Sequence, residues 1–75
     1  MPLRPLSYRQ VERRLRAAGF APVATHGSHV KFLRGTAQGS RSVIVPHHRE
    51  IAIGTLRSII RQAGLTIPEF EALDD

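Results

Sequence analysis

The chain contains no cysteine among its 75 residues, and this absence constrains its fold more than any other feature. Domains this small often rely on disulfides, a metal or a partner, because they bury only about 60% of the surface that the unfolded chain exposes. Disulfides and thiolate metal sites are excluded here. Stability must come from apolar packing, for which 41% of the residues are hydrophobic. We expect a single domain over residues 1–75, with a core over about residues 6–70.

Basic residues are spread along the chain, whereas most acidic residues lie in a C-terminal tail, residues 69–75. Residues 1–68 hold all eleven basic residues but only two of the six acidic ones. Ten of the eleven are arginines, which bind phosphate groups in a bidentate manner. This charge predicts a polyanionic partner, with nucleic acid as the first candidate. The alternative is that the charge only keeps the protein in solution.

The composition, with 23% charged residues, is that of a globular chain rather than a disordered one. No apolar segment is long enough to span a bilayer, and the N-terminus lacks the pattern of a signal peptide. We therefore expect a cytoplasmic protein without a membrane partner.

The first helix is defined at both ends. Ser7 and Gln10 have the spacing of a capping box. Leu6 and Val11 have that of a hydrophobic staple, and Gly19 is placed to end the helix. A separate face of this helix carries three arginines: Arg9, Arg13 and Arg16. This stripe is either a solvated polar face or a track for phosphate groups.

The dipeptide Gly27-Ser28 lies between two extended segments, residues 20–26 and 29–34. Two such residues between strands predict a hairpin with a type II′ turn. Alternation of side chains assigns three residues to the core face: Val23, Val30 and Phe32. It assigns three others to the opposite face: His26, His29 and Lys31.

A third strand is expected after this hairpin. Residues 35–40 are predicted to form a loop, and residues 41–45 a short strand that Pro46 ends. All three residues of the run Val43–Val45 are apolar, so the pattern does not show which of them face the core.

Two more helices are expected toward the C-terminus. The second should run from Ile53 to Ala63, with Gly64 at its C-cap. Thr66 and Glu69 have the spacing of another capping box, so a short third helix follows, with Phe70 packing back onto the core.

The order α-β-β-β-α, with the short extra helix, predicts an α+β domain. Its three-stranded antiparallel sheet is covered by helices on one face. The other face is left open to solvent, and His29 and Lys31 are expected there.

Four segments resemble the motifs of one known family. They are the Gly-Ser-His-Val-Lys-Phe hairpin at 27–32, Val-Pro-His-His at 45–48, the second helix at 54–65, and the end of the first helix at 11–20. The second helix starts with Gly-Thr-Leu and closes with Ala-Gly-Leu, and the first closes with Ala-Gly-Phe. In this order and spacing they resemble HicA-type mRNA interferase toxins, over about residues 6–70.

The resemblance implies a fold similar to that of the double-stranded-RNA-binding domain. It implies the toxin of a type II toxin–antitoxin system, an endoribonuclease that cleaves mRNA and is neutralised by a HicB-type antitoxin protein. The family's catalytic histidine corresponds to His29. Two features depart from the family pattern, the histidine at position 26 and the second histidine of the Val-Pro motif, and neither removes a motif residue.

Histidine suits RNA cleavage without a metal, because its pKa of about 6.5 lies near working pH. The reaction needs a base for the proton of the 2′-OH and an acid for the leaving 5′-oxygen. Gly27 and Ser28 are small, so a phosphodiester can approach His29 without a bulky neighbour. Lys31 or an arginine would stabilise the charge that develops on the phosphate.

His26 and His29 flank the turn and should face each other, with Cβ atoms roughly 4.5–5.5 Å apart. The two either divide the acid and base roles or form a chance pair. A metal site built from the four histidines would have only Glu50 as a nearby carboxylate. We therefore expect no metal and no other cofactor.

His48 and Arg49 precede the second helix, whose first backbone N–H groups would lie near Gly54 and Thr55. Basic side chains beside a helix N-terminus favour phosphate binding, and the alternative is a solvated loop before a capped helix. The aromatic residues are assigned mainly to the core. Without an aromatic platform, base stacking is not expected to read RNA sequence.

Two other functions remain open from the residues alone. A non-catalytic RNA-binding module would share the fold and the charge but would not need His29. A protein-interaction domain without a role in RNA would leave the excess of arginine unexplained.

Overall fold

A computed structural model describes residues 3–73. Three helices and five strands follow one another along the chain: β1 (Leu6–Ser7), α1 (Tyr8–Ala17), β2 (Ala21–His26), β3 (His29–Thr36), β4 (Gly39–Pro46), β5 (Glu50–Ile51), α2 (Ile53–Gln62) and α3 (Ile67–Ala72). Strands β2, β3 and β4 form an antiparallel sheet in that order, and β1 pairs with β5 in a separate two-stranded sheet. The α+β fold with its α-β-β-β-α order is confirmed.

Capping boxes begin α1 and α3, as predicted. In α1 the Gln10 N–H donates to Ser7 Oγ over 3.2 Å, and the Ser7 N–H donates to Gln10 Oε1 over 2.9 Å. Thr66 and Glu69 repeat this arrangement in α3, where the hydrogen bond from the Thr66 N–H lowers the pKa of the Glu69 carboxyl. Gly19, with a φ of +97°, follows the end of α1 in the left-handed conformation.

The β2–β3 hairpin is confirmed, with a two-residue turn at Gly27-Ser28. His26 and His29 are directly opposite each other in the ladder. Gly27 has a φ of +59°, and among residues 3–73 only glycines have positive φ. Ser28 therefore has a negative φ, and the two signs are those of a type II′ turn.

The prediction that Val23 faces the core is wrong. A β-bulge interrupts β2, so Pro22 pairs with Phe32 but Ala24 pairs with Lys31. The extra residue at the bulge is Val23, and 55% of its surface is exposed. Alternation fails here because one inserted residue changes which face the following side chains occupy. The other two predicted core residues of the hairpin, Val30 and Phe32, are buried.

Strands β3 and β4 are longer than predicted, and the loop predicted at residues 35–40 is wrong. The ladder continues to the pair Thr36–Gly39 and leaves a two-residue turn. In β4, Val43 and Val45 are buried, and Ile44 is 41% exposed on the open face. The Ile44 N–H donates to the Gln62 side chain over 2.9 Å, so α2 occupies part of the outer edge of β4.

The β1–β5 pair was not predicted from the sequence. Leu6 pairs with Ile51, and Ser7 pairs with Glu50. Each strand leads directly into a long helix, since Ser7 is the N-cap of α1 and Ala52 is the N-cap of α2. The two helices therefore begin next to each other.

A single apolar core joins the inner face of the sheet to the helices. Its buried side chains are Leu6, Val11, Leu15, Phe20, Val30, Phe32, Val43, Val45, Ile51, Leu56, Ile59, Ile60, Ala63 and Phe70. Within residues 3–73 no polar or charged residue is fully buried. In the same part of the chain, no helix is long and apolar enough to cross a bilayer.

Candidate active site and nucleic-acid interface

The predicted catalytic residue, His29, lies on the open face of the sheet. His29 and Lys31 are both exposed, and their side chains form no hydrogen bond or ion pair with any of residues 3–73. In the ladder His29 lies between His26 on β2 and Pro46 on β4. Two imidazoles and one ammonium group thus share a solvent-facing patch beside the Gly27-Ser28 turn.

The turn is also held by the segment that follows β4, the strand that borders β3 on the edge opposite β2. The His47 N–H donates to the Ser28 carbonyl. The His47 ring lies against the Tyr8 ring, with centroids 3.9 Å apart and an angle of 31° between the planes. Since Tyr8 is the first residue of α1, these contacts connect the Gly27-Ser28 turn to the start of that helix. We call this part of the molecule the histidine end: the hairpin segment 26–31, loop 47–49 and the first turns of α1 and α2.

A cleft of about 460 Å³ opens at the histidine end. Its lining residues are Ser7, Tyr8, Arg9, Glu12, His47, His48 and Arg49. The structure therefore brings together three residues predicted to bind RNA, Arg9, His48 and Arg49, from α1 and from the loop before α2. It does not bring Arg13 or Arg16 into this cleft.

The arginine stripe of α1 is divided by an acidic side chain. Arg16 forms an ion pair with Glu12, with 2.9 Å between Nη2 and Oε2. Such an exposed pair contributes about 1 kcal/mol or less to stability, but it reduces the charge that Arg16 presents. Arg9 and Arg13 are exposed, and neither has a hydrogen-bond or ion-pair partner in the described chain.

Tyr8 is half-buried at the edge of the core. Burial is the main cause that raises the pKa of its phenol, and the Glu12 carboxylate raises it further, while Arg16 lowers it. Tyr8 is therefore a neutral hydrogen-bond donor at physiological pH, with a face turned to His47.

No side chain caps the start of α2. Its N-cap residue is Ala52, no acidic residue lies in its first turn, and Gly54 and Thr55 are exposed. The alternative of a side-chain-capped helix does not hold, and the basic loop residues His48 and Arg49 precede an α2 N-terminus that no side chain caps.

Three arginines have a different role, which sequence reasoning missed. Each donates through Nη1 to a carbonyl at the end of a helix, where carbonyls lack partners within the helix. Arg34 binds the Ala18 carbonyl of α1 over 3.1 Å, Arg41 binds the Gln62 carbonyl of α2 over 3.2 Å, and Arg14 binds the Phe70 carbonyl of α3 over 3.5 Å. We call the region of Arg34 and Arg41 the arginine end.

Two of these arginines also pack against aromatic rings. The Arg34 guanidinium lies 4.9 Å from the centre of the Phe20 ring, and that of Arg14 lies 5.2 Å from Phe70. The arginine excess is therefore not all available to a partner, because part of it stabilises helix C-termini. No periodicity in the sequence could have separated these arginines from the others.

The histidines do not combine into a larger cluster. Within residues 3–73, no three histidine, aspartate or glutamate side chains lie close enough together to hold a metal ion. The structure separates His29, on the open sheet face, from His47, whose ring packs on α1.

A comparison with protein-family models agrees with the motif resemblance. A family model described as the HicA toxin of bacterial toxin–antitoxin systems matches residues 8–65. A comparison with curated proteins gave no match. The matched range includes α1, the whole three-stranded sheet and α2, which is most of the chain, and therefore the chain belongs to the HicA toxin family of bacterial toxin–antitoxin systems.

Proposed function

We propose that this toxin is an endoribonuclease that cleaves mRNA without a metal, with His29 as the catalytic residue. One observation carries the proposal: His29 is exposed on the uncovered sheet face, with His26 directly opposite and Lys31 two residues along the same strand. A simple RNA-binding surface would not need two imidazoles in register beside a fixed turn.

The reaction that fits these groups is an internal transesterification. A neutral imidazole takes the proton of a 2′-OH, and the 2′-oxygen attacks the adjacent phosphorus. The bond to the 5′-oxygen breaks, and a protonated group returns a proton to that oxygen. The products are a 2′,3′-cyclic phosphate and a free 5′-hydroxyl. Lys31 is placed to stabilise the negative charge of the transition state.

His26 is the candidate for the second proton transfer. It is paired with His29 across the turn, where side chains of opposite residues lie close together. Gly27 and Ser28 leave the approach to this pair free, because the first has no side chain and the second has a small one. We assign His29 the larger role, since His26 lies outside the family motif.

Substrate binding is assigned to the basic groups of the histidine end and of α1: Arg9, Arg13, Arg16, Lys31, His48 and Arg49. Arginine and lysine contacts to phosphates give affinity without sequence selectivity. An mRNA substrate also places the protein in the cytoplasm.

The partner of such a toxin is a HicB-type antitoxin. We propose that it carries acidic groups and covers His29 and Lys31, because the open sheet face holds both the catalytic group and positive charge. The exposed Ile44 is paired with Lys31 on that face and gives the antitoxin an apolar contact. Binding to the folded toxin alone would also stabilise this small core by mass action.

The deciding experiment compares the parent protein with His29→Ala on a long RNA, in the presence of a chelator. The parent should cleave and the variant should not, and circular dichroism should show the same fold for both, because the His29 side chain is exposed. Full activity in the variant would exclude His29. Loss of parent activity with chelator would show a metal-dependent reaction. RNA binding without cleavage by the parent would favour a non-catalytic module.

A further inference from the structure

The stacked rings of Tyr8 and His47 have no role in the proposed cleavage reaction. They come from α1 and from the loop after β4, and they meet at a centroid distance of 3.9 Å. His47 is exposed, so one face of its ring is accessible from the 460 Å³ cleft. No local pattern predicts this aromatic pair, because the two residues lie far apart in the chain.

Charged groups surround this pair on the cleft wall. Arg9 and Arg49 have no hydrogen-bond or ion-pair partner among residues 3–73, unlike the arginines that bind helix ends. The acidic group of the wall, Glu12, is held by Arg16 through Oε2. The cleft thus combines an exposed ring face with free guanidinium groups.

These two features match two of the three parts of a nucleotide, its base and its phosphate. Aromatic rings stack with bases, and every base has a π-face, so stacking tolerates any sequence. Guanidinium groups bind phosphate oxygens with charge-assisted hydrogen bonds. A base within a duplex is already stacked on both sides, so such a cleft accepts only an unpaired nucleotide.

We propose that the cleft is a subsite for one unpaired nucleotide of the RNA substrate. Its base stacks on the exposed face of the His47 ring, and its phosphate binds Arg9 and Arg49. The proposal rests on the proposed function, since it extends the substrate from the scissile phosphate at His29 to a second position. The hydrogen bond between the His47 N–H and the Ser28 carbonyl fixes the subsite relative to the catalytic turn.

Binding is measured with a short single-stranded RNA that carries 2′-O-methyl groups throughout, so that the attacking hydroxyl is blocked. A series of such RNAs has one abasic nucleotide at successive positions, and fluorescence anisotropy gives each Kd. With the parent protein, one position should weaken binding roughly 10-fold when its base is removed, which is a typical value for one stacked base.

The variants His47→Ala and His47→Phe separate the ring from the rest of the loop. Both keep the backbone N–H that binds Ser28, and both substitute an exposed side chain. His47→Ala should bind the intact RNA roughly 10-fold more weakly and lose the sensitive abasic position. His47→Phe should keep the parent affinity for the intact RNA and the sensitive abasic position. Arg57→Ala, an exposed arginine of α2 outside the cleft, should keep the sensitive position and serves as the control.

The subsite is excluded if His47→Ala keeps the sensitive abasic position, or if His47→Phe binds as weakly as His47→Ala. It is also excluded if His47→Ala changes only the cleavage rate of unmodified RNA, because the ring would then act on the turn rather than on the ligand. These binding results do not depend on cleavage. A parent protein that fails to cut unmodified RNA but shows the sensitive position would disprove the nuclease function and leave the subsite in place.

Discussion

The arginines at the two ends of the molecule differ in whether they have partners. At the histidine end, Arg9 and Arg49 line a cleft, and neither side chain has a hydrogen-bond partner in the described chain. At the arginine end, Arg34 and Arg41 donate hydrogen bonds to helix carbonyls. The helix dipoles account for this difference. Helix N-termini carry partial positive charge and attract anions, and neither α1 nor α2 has an acidic residue in its first turn. Helix C-termini carry partial negative charge, which arginines from the sheet neutralise.

The arginine end also shows how a like-charged pair is accommodated. Arg34 and Arg41 are directly opposite each other in the β3–β4 ladder, an arrangement that is normally destabilising. Each guanidinium reaches a different carbonyl, Ala18 for the first and Gln62 for the second. The cleft at this end, about 640 Å³, is larger than the one at the histidine end. The two clefts therefore differ not only in volume but also in whether their arginines already have partners within the protein.

The largest expected effect is on catalysis at the histidine end. His29→Ala should lower the rate of RNA cleavage by on the order of 10²–10⁴-fold, the usual contribution of a general acid or base. Its free energy of unfolding should stay within about 0.5 kcal/mol of the parent value, because the side chain is exposed. Single-turnover cleavage and urea denaturation measure the two quantities. A large loss of stability would contradict the comparison, because it would show that His29 at the histidine end stabilises the fold as the residues of the arginine end do.

His26→Ala should have a smaller effect on the rate than His29→Ala, below about 10²-fold. His26 is placed opposite His29, but the family motif does not include it. The same single-turnover assay measures the cleavage rates of both histidine variants. Val23→Ala, which changes an exposed residue of the same strand as His26, is the control. An equal loss for the two histidine variants would show that they share the proton transfers.

Two glycines allow a matched comparison of stability. Gly64, after α2, has a φ of +75°, and a Cβ there would lie 2.9 Å from Arg41 Cζ. Gly27 has a φ of +59°, but a Cβ would meet no atom within 4 Å. Alanine at either position has the left-handed strain of about 1–2 kcal/mol. Gly64→Ala should cost about 1 kcal/mol more than Gly27→Ala, because Arg41 must move from the Gln62 carbonyl. If thermal or urea unfolding shows that the two variants lose equal free energy of unfolding, the Arg41 contact does not contribute to stability.

Arg34→Ala should lower the free energy of unfolding by about 1–2 kcal/mol, through loss of the hydrogen bond to Ala18 and of the contact with Phe20. RNA affinity should not change. Arg57→Ala, which removes an exposed arginine of α2, should change stability by less than about 0.5 kcal/mol. Weaker RNA binding by Arg34→Ala at unchanged stability would instead make the arginine end a binding surface.

The smallest effect concerns the salt dependence of RNA binding. Arg9→Ala should flatten the slope of log K against log salt by about 0.7, the value for one phosphate contact on a single strand. Arg13→Ala should do the same if the stripe extends the track, and Arg16→Ala should do less because Arg16 is paired with Glu12. Arg41→Ala should leave the slope unchanged. Anisotropy titrations at several salt concentrations test all four, and an unchanged slope for Arg9→Ala would place the RNA elsewhere.

Local signals in the sequence determined most of the elements. The capping box at Ser7, the turn at Gly27-Ser28 and the end of α2 near Gly64 each depend on a few adjacent residues, so they could be identified without knowledge of the fold. The C-cap of α2 is Ala63 rather than the predicted Gly64, which follows it in the left-handed conformation. The positions of His29 and Lys31 on the open face followed from strand alternation in the same way. The family could also be identified, because its motifs are local.

The remaining features depend on contacts between residues distant in sequence, which no local pattern encodes. The bulge that exposes Val23 arises from pairing with β3, and the β1–β5 pair that brings the two helix starts together joins residues more than forty positions apart. Tertiary structure also decided which arginines are free. Arg9 and Arg34 have the same side chain, but only Arg34 meets a helix carbonyl, so its charge serves the fold while that of Arg9 faces the cleft. The sequence thus determines which chemical group each residue carries. The packing of helix ends against the sheet determines which arginines bind a carbonyl of the protein and which remain without a partner in the described chain.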